Sequence, residues 1–465
     1  MSSFYSDPAV RQRLVEFLGG ETLETATALY LTHSDGCQFQ RSELHPPAGL
    51  EWFLERDLDI ARSLADRESL LLHLDVEYVN FDAPGEAYLD PWRVFELQEP
   101  VVRGIERLLL GWGISPLHMI TGQGHHFVWR VSWQHELVGR LRQLCPAPEL
   151  VDRCMERVGS GVVGVLRREQ QEGFSAVALL MEFVAHRIKV ETARRSLIPV
   201  EITAVQVGRG ASGRREMVSI DISEYGDPLH TRMVRMPFTN YLKPWLSGLA
   251  RSLGIENELA RFRTIPLHEM DIQQAVGFRQ DEAAVLDLAR RAGTRIPLQE
   301  EGTANLLDAY LASDLRRFHQ DYYGAVHDPP EIWPVTYDRT PLDLLPPDVG
   351  DLLAWPNDRL LKPGCIQRVT RALMEEGWHP RHIAGLIRSK FENPEFGWGV
   401  DWHDYEPGTR ADFYTRLFAG LSATGLDRVI DFNSTARLER SAEPWHSSDF
   451  SLQRHYELLL NPSRS

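Results

Sequence analysis

Cysteine is scarce in this chain. The 465 residues include four cysteines, at positions 37, 145, 154 and 365, and no two of them form a C-x-x-C pair. Disulfide-stabilised secreted scaffolds carry many more cysteines, and a self-contained zinc knuckle needs closely spaced pairs. The cysteine content therefore argues against both classes of protein.

Long hydrophobic runs are also missing. No uninterrupted apolar stretch reaches the roughly 20 residues needed to span a bilayer. The first residues, Met1–Asp7, contain neither the basic region nor the apolar region of a secretory signal. We therefore expect a cytoplasmic protein with no membrane partner.

Positive charge is deficient in the chain as a whole. The formal net charge is −16 at pH 7, and affinity for nucleic-acid phosphates comes from Lys and Arg. The net charge therefore argues against non-specific binding of nucleic acid over the whole surface. One stretch differs, because ten basic residues outnumber six acidic ones between His186 and Lys243. This excess indicates either a local phosphate-binding region or chance clustering on a solvated surface.

Motor and repeat motifs are absent as well. The sequence contains no P-loop of the G-x-x-x-x-G-K-[ST] type, no heptad run and no long-period repeat. The chain therefore lacks the signature of a helicase motor, a coiled coil or a solenoid.

The composition that remains is that of a globular protein. With 465 residues, 43% hydrophobic and 25% charged, we expect two or three domains. Residues 8–18 and 51–66 have helical spacing and precede a strand at 70–79. An amphipathic helix at 94–110 follows, and then two strands, at 116–120 and 127–131, flank a tight turn. This order of elements indicates an α/β or α+β core.

The second half of the chain has a different pattern. Helical spacing continues through residues 256–324, and seven prolines then fall between positions 325 and 356. Such a density of proline predicts a linker or an extended wrap over the core. We therefore divide the chain into a mixed core over 1–255, a helical segment over 256–324, a Pro-rich linker over 325–356 and a helical C-terminal module over 357–465.

Two carboxylates stand out in the first predicted strand. Asp75 and Glu77 are two residues apart, so they project from the same face while Leu74 and Val76 point into a core. Adjacent carboxylates suit hard divalent cations such as Mg²⁺. An ordinary solvent-facing antiparallel strand has the same alternation, so this strand alone leaves both interpretations open.

The turn of the predicted hairpin reads T-G-Q-G-H-H from Thr121 to His126. Glycines permit close backbone approach and positive φ, so successive N–H groups can converge on an anion such as a triphosphate. A following histidine can donate to a phosphate oxygen. Glycines are also common in ordinary hairpin turns, so the motif alone is weak.

A third signal lies near the middle of the chain. Residues Val218–Ser223 alternate again and place Asp221 on a polar strand face. The downstream segment Arg232–Lys243 contains two arginines, a hydroxyl side chain and a lysine. Arg binds phosphate through a planar fork and Lys binds it as a point charge. The alternative is a basic strand and turn that neutralise nearby acids.

The three signals together resemble the archaeo-eukaryotic primase superfamily, which includes the primase small subunit and the primase-polymerases. The match consists of a strand with D-x-E, a helix, a hairpin with T-G-x-G-x-H, and a strand Asp followed by R-x-P-x-T-x-x-x-K. It covers roughly residues 5 to 250. The resemblance implies a mixed α+β fold, in which a primase-type catalytic core with an RRM-like antiparallel sheet precedes a mainly helical C-terminal region.

The resemblance also implies roles for individual residues. Asp75, Glu77 and Asp221 would bind two divalent ions, Mg²⁺ or Mn²⁺, and no zinc is expected because the zinc-binding insert of many primase small subunits has no counterpart here. Tyr241 stands where those subunits often have a His, although its hydroxyl can still donate a hydrogen bond. The triphosphate would be held by Thr121, Gly122, Gly124, His126, Arg235, Thr239 and Lys243.

The implied function is template-dependent nucleotidyl transfer by a DNA or RNA primase-polymerase. Its partners would be a single-stranded nucleic-acid template and nucleoside triphosphates, and unwinding would come from a separate helicase or replication protein. Two other functions stay open. The chain could be an inactive primase-fold subunit that binds nucleic acid or nucleotide, or a different two-metal enzyme such as a nuclease or phosphatase.

One further group of metal-ligand residue types lies in the C-terminal segment. Cys365, His379 and His382 could be interpreted as metal ligands. A core cysteine and a helix N-terminus explain them more simply.

Overall fold

A computed structural model describes the chain with a few gaps, and helices outweigh strands in it. The fold is mixed α+β, as the sequence predicts. The described residues are 3–36, 43–145, 147–157, 166–192, 195–210, 212–357, 359–392 and 405–429.

The strands form two sheets. The larger sheet has the order β6-β7-β3-β5-β4-β9 and the smaller one the order β1-β2-β8. Neighbouring strands are antiparallel except for β6 and β7, which are parallel. The strands are β1 (Leu31–His33), β2 (Ile60–Ser63), β3 (Ser69–Asn80), β4 (Leu117–Ile120), β5 (Gly124–Ser132), β6 (Val200–Ile202), β7 (Glu216–Asp221), β8 (Met233–Arg235) and β9 (Ile265–Pro266).

The α-helices surround these sheets and fill the second half of the chain. They are α1 (Pro8–Phe17), α2 (Leu50–Glu55), α3 (Glu86–Leu89), α4 (Pro91–Gly111), α5 (Glu136–Arg142), α6 (Pro148–Glu156), α7 (Arg168–Thr192), α8 (Lys243–Leu246), α9 (Leu249–Ser252), α10 (Ile272–Phe278), α11 (Glu282–Arg291), α12 (Glu300–Leu311), α13 (Asp314–Gly324), α14 (Pro347–Ala354), α15 (Pro363–Glu375), α16 (Pro380–Glu392), α17 (Pro407–Ala423) and α18 (Leu426–Val429). Short 3-10 helices span Ser3–Ser6, Pro47–Gly49, Ser223–Gly226, Leu229–Thr231, Pro330–Val335, Tyr337–Arg339 and Leu342–Leu344.

The middle of the larger sheet is a β-α-β-β-α-β unit. β3 leads through α4 to the β4–β5 hairpin, and α7 lies on the path from β5 to β7. These four strands lie in the order β7-β3-β5-β4, so β3 has a strand on each side. α4 and α7 contact each other, with α4 against β5 and α7 against β3. Burying that apolar face of the sheet leaves the polar face of β3 available for a site.

Most predicted elements of the first quarter are confirmed with small shifts of their ends. The strand predicted at 70–79 is β3, the helix predicted at 94–110 is α4, and the predicted hairpin is β4–β5. The helix predicted at 51–66 is wrong beyond Glu55, because Ile60–Ser63 is a strand. All four residues of that strand are buried, so it lacks the polar–apolar alternation that identifies a half-exposed strand.

The proline-rich stretch and the C-terminal helices pack onto the rest of the molecule. Residues 330–354 form short helices, and Trp333 and Tyr337 are buried in the same hydrophobic core as the first half of the chain. α17 packs against α15, α16 and the 3-10 helix Ser223–Gly226 that follows β7. Within the described ranges, no helix is both long enough and apolar enough to cross a membrane. The predicted four-segment division remains a prediction.

Candidate active site

The centre of the candidate site is the polar face of β3. Leu74 and Val76 are fully buried in the core, whereas Asp75 and Glu77 are partly exposed on the other face. The structure therefore confirms the alternation that the sequence predicts, and the two carboxylates project side by side.

The strands beside β3 add two further polar residues at the same level. Asp75 is directly opposite Asp221 on β7 and directly opposite His126 on β5. Directly opposed residues on antiparallel strands have Cβ atoms about 4.5–5.5 Å apart. The Nε2 atom of His126 lies 3.4 Å from Oδ1 of Asp75. Polar residues from three strands that are far apart in the sequence thus meet at this point of the sheet.

A cleft opens over this face of the sheet, and the smaller sheet supplies its opposite wall. Six of the ten predicted site residues line it together, with further residues from the end of β1, the turn after β7 and the start of β8. The lining residues are Ser34, Gly36, His73, Asp75, Glu77, His126, Asp221, Ser223, Glu224, Thr231, Arg232, Met233, Arg235 and Lys243.

The carboxylates on the acidic side of the cleft repel one another. Burial raises the pKa of Asp75 well above its usual value, and the carboxylates of Glu77 and Asp221 raise it further. Burial also raises the pKa of Asp221, and the carboxylate of Glu77 raises it further. The Oδ1 atom of Asp75 is buried and has no hydrogen-bond partner among the described residues. A bound cation would relieve both the repulsion and the missing partner.

The basic side of the cleft comes from the segment after β7. Lys243 Nζ lies 3.8 Å from Oε1 of Glu77. Burial lowers the pKa of Lys243, but Glu77, Tyr88 and Asp75 together outweigh burial, so the pKa is raised. Arg235 donates from Nε to Oδ1 of the buried Asp59 over 2.9 Å, and its guanidinium lies 4.4 Å from the ring centre of Tyr241. Both cations are thus fixed by carboxylates at the edge of the cleft.

The glycine turn does not form the cradle of N–H groups that the sequence suggests. Neither Gly122 nor Gly124 has a positive φ, and the amide of Thr121 donates to the carbonyl of Gly124 over 2.9 Å. A Cβ on Gly122 would clash with the ring of Tyr241, and one on Gly124 would clash with the backbone of Val76. Both glycines therefore serve close packing inside the protein, and neither they nor Thr121 are among the cleft-lining residues.

Thr239 and Tyr241 are buried beside the cleft and do not line it. The hydroxyl of Thr239 donates to the carbonyl of Met236 over 2.8 Å, next to a positive φ of 63° at Phe238. Tyr241 stacks on Phe262 with ring centres 5.4 Å apart. In this structure the two side chains therefore support the segment that carries Arg235 and Lys243.

Sequence reasoning missed a histidine–glutamate pair in the same cleft. His73 Nδ1 donates to Oε2 of Glu224 over 2.7 Å, and the His73 ring meets the His126 ring edge-on with centres 4.7 Å apart. The hydroxyl of Tyr225 donates to the carbonyl of His73 over 2.8 Å. His73 shares its strand face with Asp75, which was a usable signal. Nothing in the sequence pattern around Glu224 pairs it with His73.

The fit of a metal ion rests on the three acids of the cleft. Across the described parts of the chain, no group of three or more His, Cys, Asp or Glu side chains is already drawn together as a ligand set. Asp75, Glu77 and Asp221 nevertheless line one cleft and offer oxygen donors, and Asp75 Oδ1 accepts no hydrogen bond from the described residues. These features fit a hard divalent cation, whose charge would draw the carboxylates together.

The histidines of the C-terminal segment have other contacts. His382 Nδ1 lies 2.9 Å from the hydroxyl of Tyr337, and His379 Nδ1 accepts from the amide of Arg381 over 3.1 Å. The second contact lies at the N-terminus of α16, in agreement with the simpler interpretation of these residues.

The candidate site is thus built from β3, β5, β7, β8 and the turns that follow β7. Comparison of the chain with protein-family models, with curated proteins and with solved structures found no significant match.

Proposed function

We propose that this protein is a template-dependent nucleotidyltransferase of the primase-polymerase type, which joins nucleoside triphosphates to a 3′-hydroxyl on a single-stranded template. One observation carries the proposal. Asp75, Asp221 and His126 are neighbours across three adjacent strands, and each belongs to a different one of the three motifs that resemble the primase superfamily.

The sheet topology supports the same proposal. The β-α-β-β-α-β unit with strand order β7-β3-β5-β4 agrees with the RRM-like antiparallel sheet that the resemblance implies. The D-x-E pair lies on a central strand of this sheet, next to the strand that carries Asp221.

Mg²⁺ or Mn²⁺ would be held by Asp75, Glu77 and Asp221. When bound, the ions would supply Lewis-acid chemistry, which lowers the pKa of an attacking hydroxyl and neutralises charge on the leaving pyrophosphate. Phosphoryl transfer asks for little covalent work from side chains, so the protein acts mainly through position and charge.

The remaining cleft residues would bind the triphosphate. Lys243 and Arg235 lie on the basic side and would spread positive charge over the phosphate oxygens. Burial lowers the pKa of His126, and the neighbouring His73 and Arg235 lower it further, so its ring is neutral at pH 7. A neutral imidazole still has one N–H, which would donate to a phosphate oxygen.

Incorporation assays on primed and unprimed single-stranded templates, with Mg²⁺ or Mn²⁺, test the proposal. We expect incorporation by the wild type and none by the Asp75→Ala, Glu77→Ala double variant. Glu99→Gln, a change in a partly exposed acid on α4, is the matched control and should leave incorporation unchanged. Retained activity in the double variant would refute the assignment.

The same assays separate the other two functions. A non-catalytic subunit would bind nucleotide or single-stranded nucleic acid without incorporation under any metal. A nuclease would need the carboxylates but not a triphosphate contact, so His126→Ala would leave it mostly active. The same substitution should cripple a polymerase.

A further inference from the structure

A second arginine, Arg232, lines the cleft together with Arg235. It is the first residue of the basic segment Arg232–Lys243, and the resemblance gives it no role. Arg232 lies just before β8, where its carbonyl accepts from the amide of Leu64 over 2.9 Å and its amide donates to the carbonyl of Leu229 over 3.0 Å. These two bonds fix its backbone between the smaller sheet and a 3-10 helix. Arg232 is one of the residues that line the cleft, as are Glu224 and Arg235.

The guanidinium of Arg232 is held from behind by a buried carboxylate. Arg232 Nη2 donates to Oδ2 of Asp227, whose side chain is fully buried. The side chain of Arg232 is 19% exposed and that of Arg235 is 10% exposed, so Arg232 has the greater access to the solvent in the cleft. An arginine that is anchored by a carboxylate and still partly exposed to solvent is suited to bind phosphate, because little rotamer freedom remains to be lost.

The same carboxylate oxygen is shared with the C-terminal helix α17. Arg410 Nη1 donates to Oδ2 of Asp227 over 2.9 Å, and Arg410 Nε donates to the carbonyl of Leu361 over 2.9 Å. The turn that contains Gly226 also packs closely against α17. A Cβ on Gly226 would lie 2.8 Å from Phe413 of α17, so only glycine lets the turn approach the helix this closely.

We infer that Arg232 is an additional triphosphate-binding residue, and that Asp227 and Arg410 are positioning residues that hold it at the cleft. This inference rests on the proposed function for the identity of the ligand. It gives the C-terminal helix an indirect part in substrate binding, because α17 supports one wall of the cleft through Arg410 and Asp227.

Binding of inorganic tripolyphosphate by the full-length protein, measured by isothermal titration calorimetry, tests the inference without relying on activity. Removal of a charge-assisted contact in Arg232→Ala should weaken binding about 10- to 100-fold. Arg410→Gln should weaken it by a smaller factor, about 3- to 10-fold, because Arg232 remains but is less well held. In the incorporation assay, Arg410→Gln should raise KM and leave kcat within about twofold.

Arg416→Gln is the matched control. Arg416 lies on the same helix and donates from Nε to Oε2 of the buried Glu182 over 2.8 Å, but it does not line the cleft. Both substitutions remove a buried ion pair, so both should lower the melting temperature. Only Arg410→Gln should change tripolyphosphate binding. Arg410→Lys, which keeps the charge but not the planar fork, should recover part of the affinity.

The outcomes separate this inference from the proposed function. If the wild type incorporates nucleotides while Arg232→Ala binds tripolyphosphate normally, the inference is wrong and the proposed function stands. If the wild type incorporates nothing but the binding pattern holds, the inference stands and the polymerase function fails. Equal binding by Arg410→Gln and Arg416→Gln overturns the positioning role. If Arg410→Gln does not fold, Asp227→Asn replaces it and should weaken binding by a similar factor.

Discussion

The two walls of the cleft hold their charges in opposite ways. On the acidic wall, Asp75 and Asp221 face each other across neighbouring strands, and burial and mutual repulsion raise the pKa of both. On the basic wall, Arg232 is bound to Asp227 and Arg235 is bound to Asp59, and both carboxylates are buried. The acidic wall therefore has three carboxylates near one lysine, Lys243, which lies beside Glu77, whereas each arginine of the basic wall is anchored by a buried carboxylate.

This contrast explains what each wall can do. Crowded carboxylates cost folding stability, and a cation that binds between them recovers it. Arginines that are already fixed by carboxylates keep their geometry whether or not a ligand is present, so under the proposed function they would act as a preorganised anion site. The cleft is suited to take a cation on one wall and a polyanion on the other, as a metal–triphosphate complex requires.

The largest expected effect comes from removing an acid of the acidic wall. Asp221→Asn should reduce nucleotide incorporation by roughly 10³-fold, because the metal would lose a charged ligand directly opposite Asp75. Steady-state incorporation with Mn²⁺ measures the effect. An equal loss in the control Glu99→Gln would contradict this explanation.

Removal of an anchor from the basic wall should mainly affect stability. Asp59 is fully buried and accepts from Arg235 Nε and from the amide of Leu242. Asp59→Ala removes the buried carboxylate that pairs with the Arg235 guanidinium and should lower the free energy of unfolding by about 3–5 kcal/mol. Urea denaturation tests this value. The partly exposed Glu43, which pairs with His33, is the comparison, and its change to Ala should cost less than about 1 kcal/mol.

A smaller effect is expected in the glycine turn that supports the basic wall. Gly122→Ala forces the ring of Tyr241 to move, and Arg235 lies over that ring. We expect a loss of about 1–3 kcal/mol in stability and a higher KM for the nucleotide. Gly139→Ala is the matched control, because nothing lies within 4 Å of its Cβ on the exposed side of α5. That change should stabilise the protein by about 0.5–1 kcal/mol, and a similar loss in both variants would contradict the packing role of Gly122.

The smallest effect concerns the dependence of stability on pH. The folded-state pKa of Asp75 is raised, so the folded protein binds this proton more tightly than the unfolded chain does. The contribution of Asp75 to the free energy of unfolding should therefore fall as the pH rises from about 4, its unfolded value, through the folded pKa. Asp75→Asn removes this contribution.

Urea denaturation of both proteins at a series of pH values, with a chelator present, measures the difference. The variant should become the more stable of the two as the pH approaches 7. A constant difference across this range would contradict the raised pKa.

The polar face of β3 is predictable from the sequence, but the strands that pair with β3 are not. The alternation around Val76 indicates that Asp75 and Glu77 share a face, because the period of two is a local property. The pairing of Asp75 with Asp221 depends on the register of two strands far apart in the sequence. No local pattern encodes that register.

The irregular segments were the least predictable. Arg232, Asp227 and Thr239 lie in turns, where the direction of a side chain depends on tertiary contacts. The sequence predicts a helix that includes Ile60–Ser63, and the strand there is not recognisable because a strand that is buried throughout has no alternation. Its buried Arg62 pairs with Asp66 over 2.7 Å, a contact that no sequence pattern indicates.

The most direct test of the central claim is a crystal structure of the protein with Mn²⁺ and a non-hydrolysable nucleoside triphosphate, in which anomalous scattering locates the metal. We predict Mn²⁺ bound by Asp75, Glu77 and Asp221, with the triphosphate extending toward Lys243 and Arg235. Mn²⁺ bound elsewhere, or a triphosphate outside this cleft, would contradict the assignment.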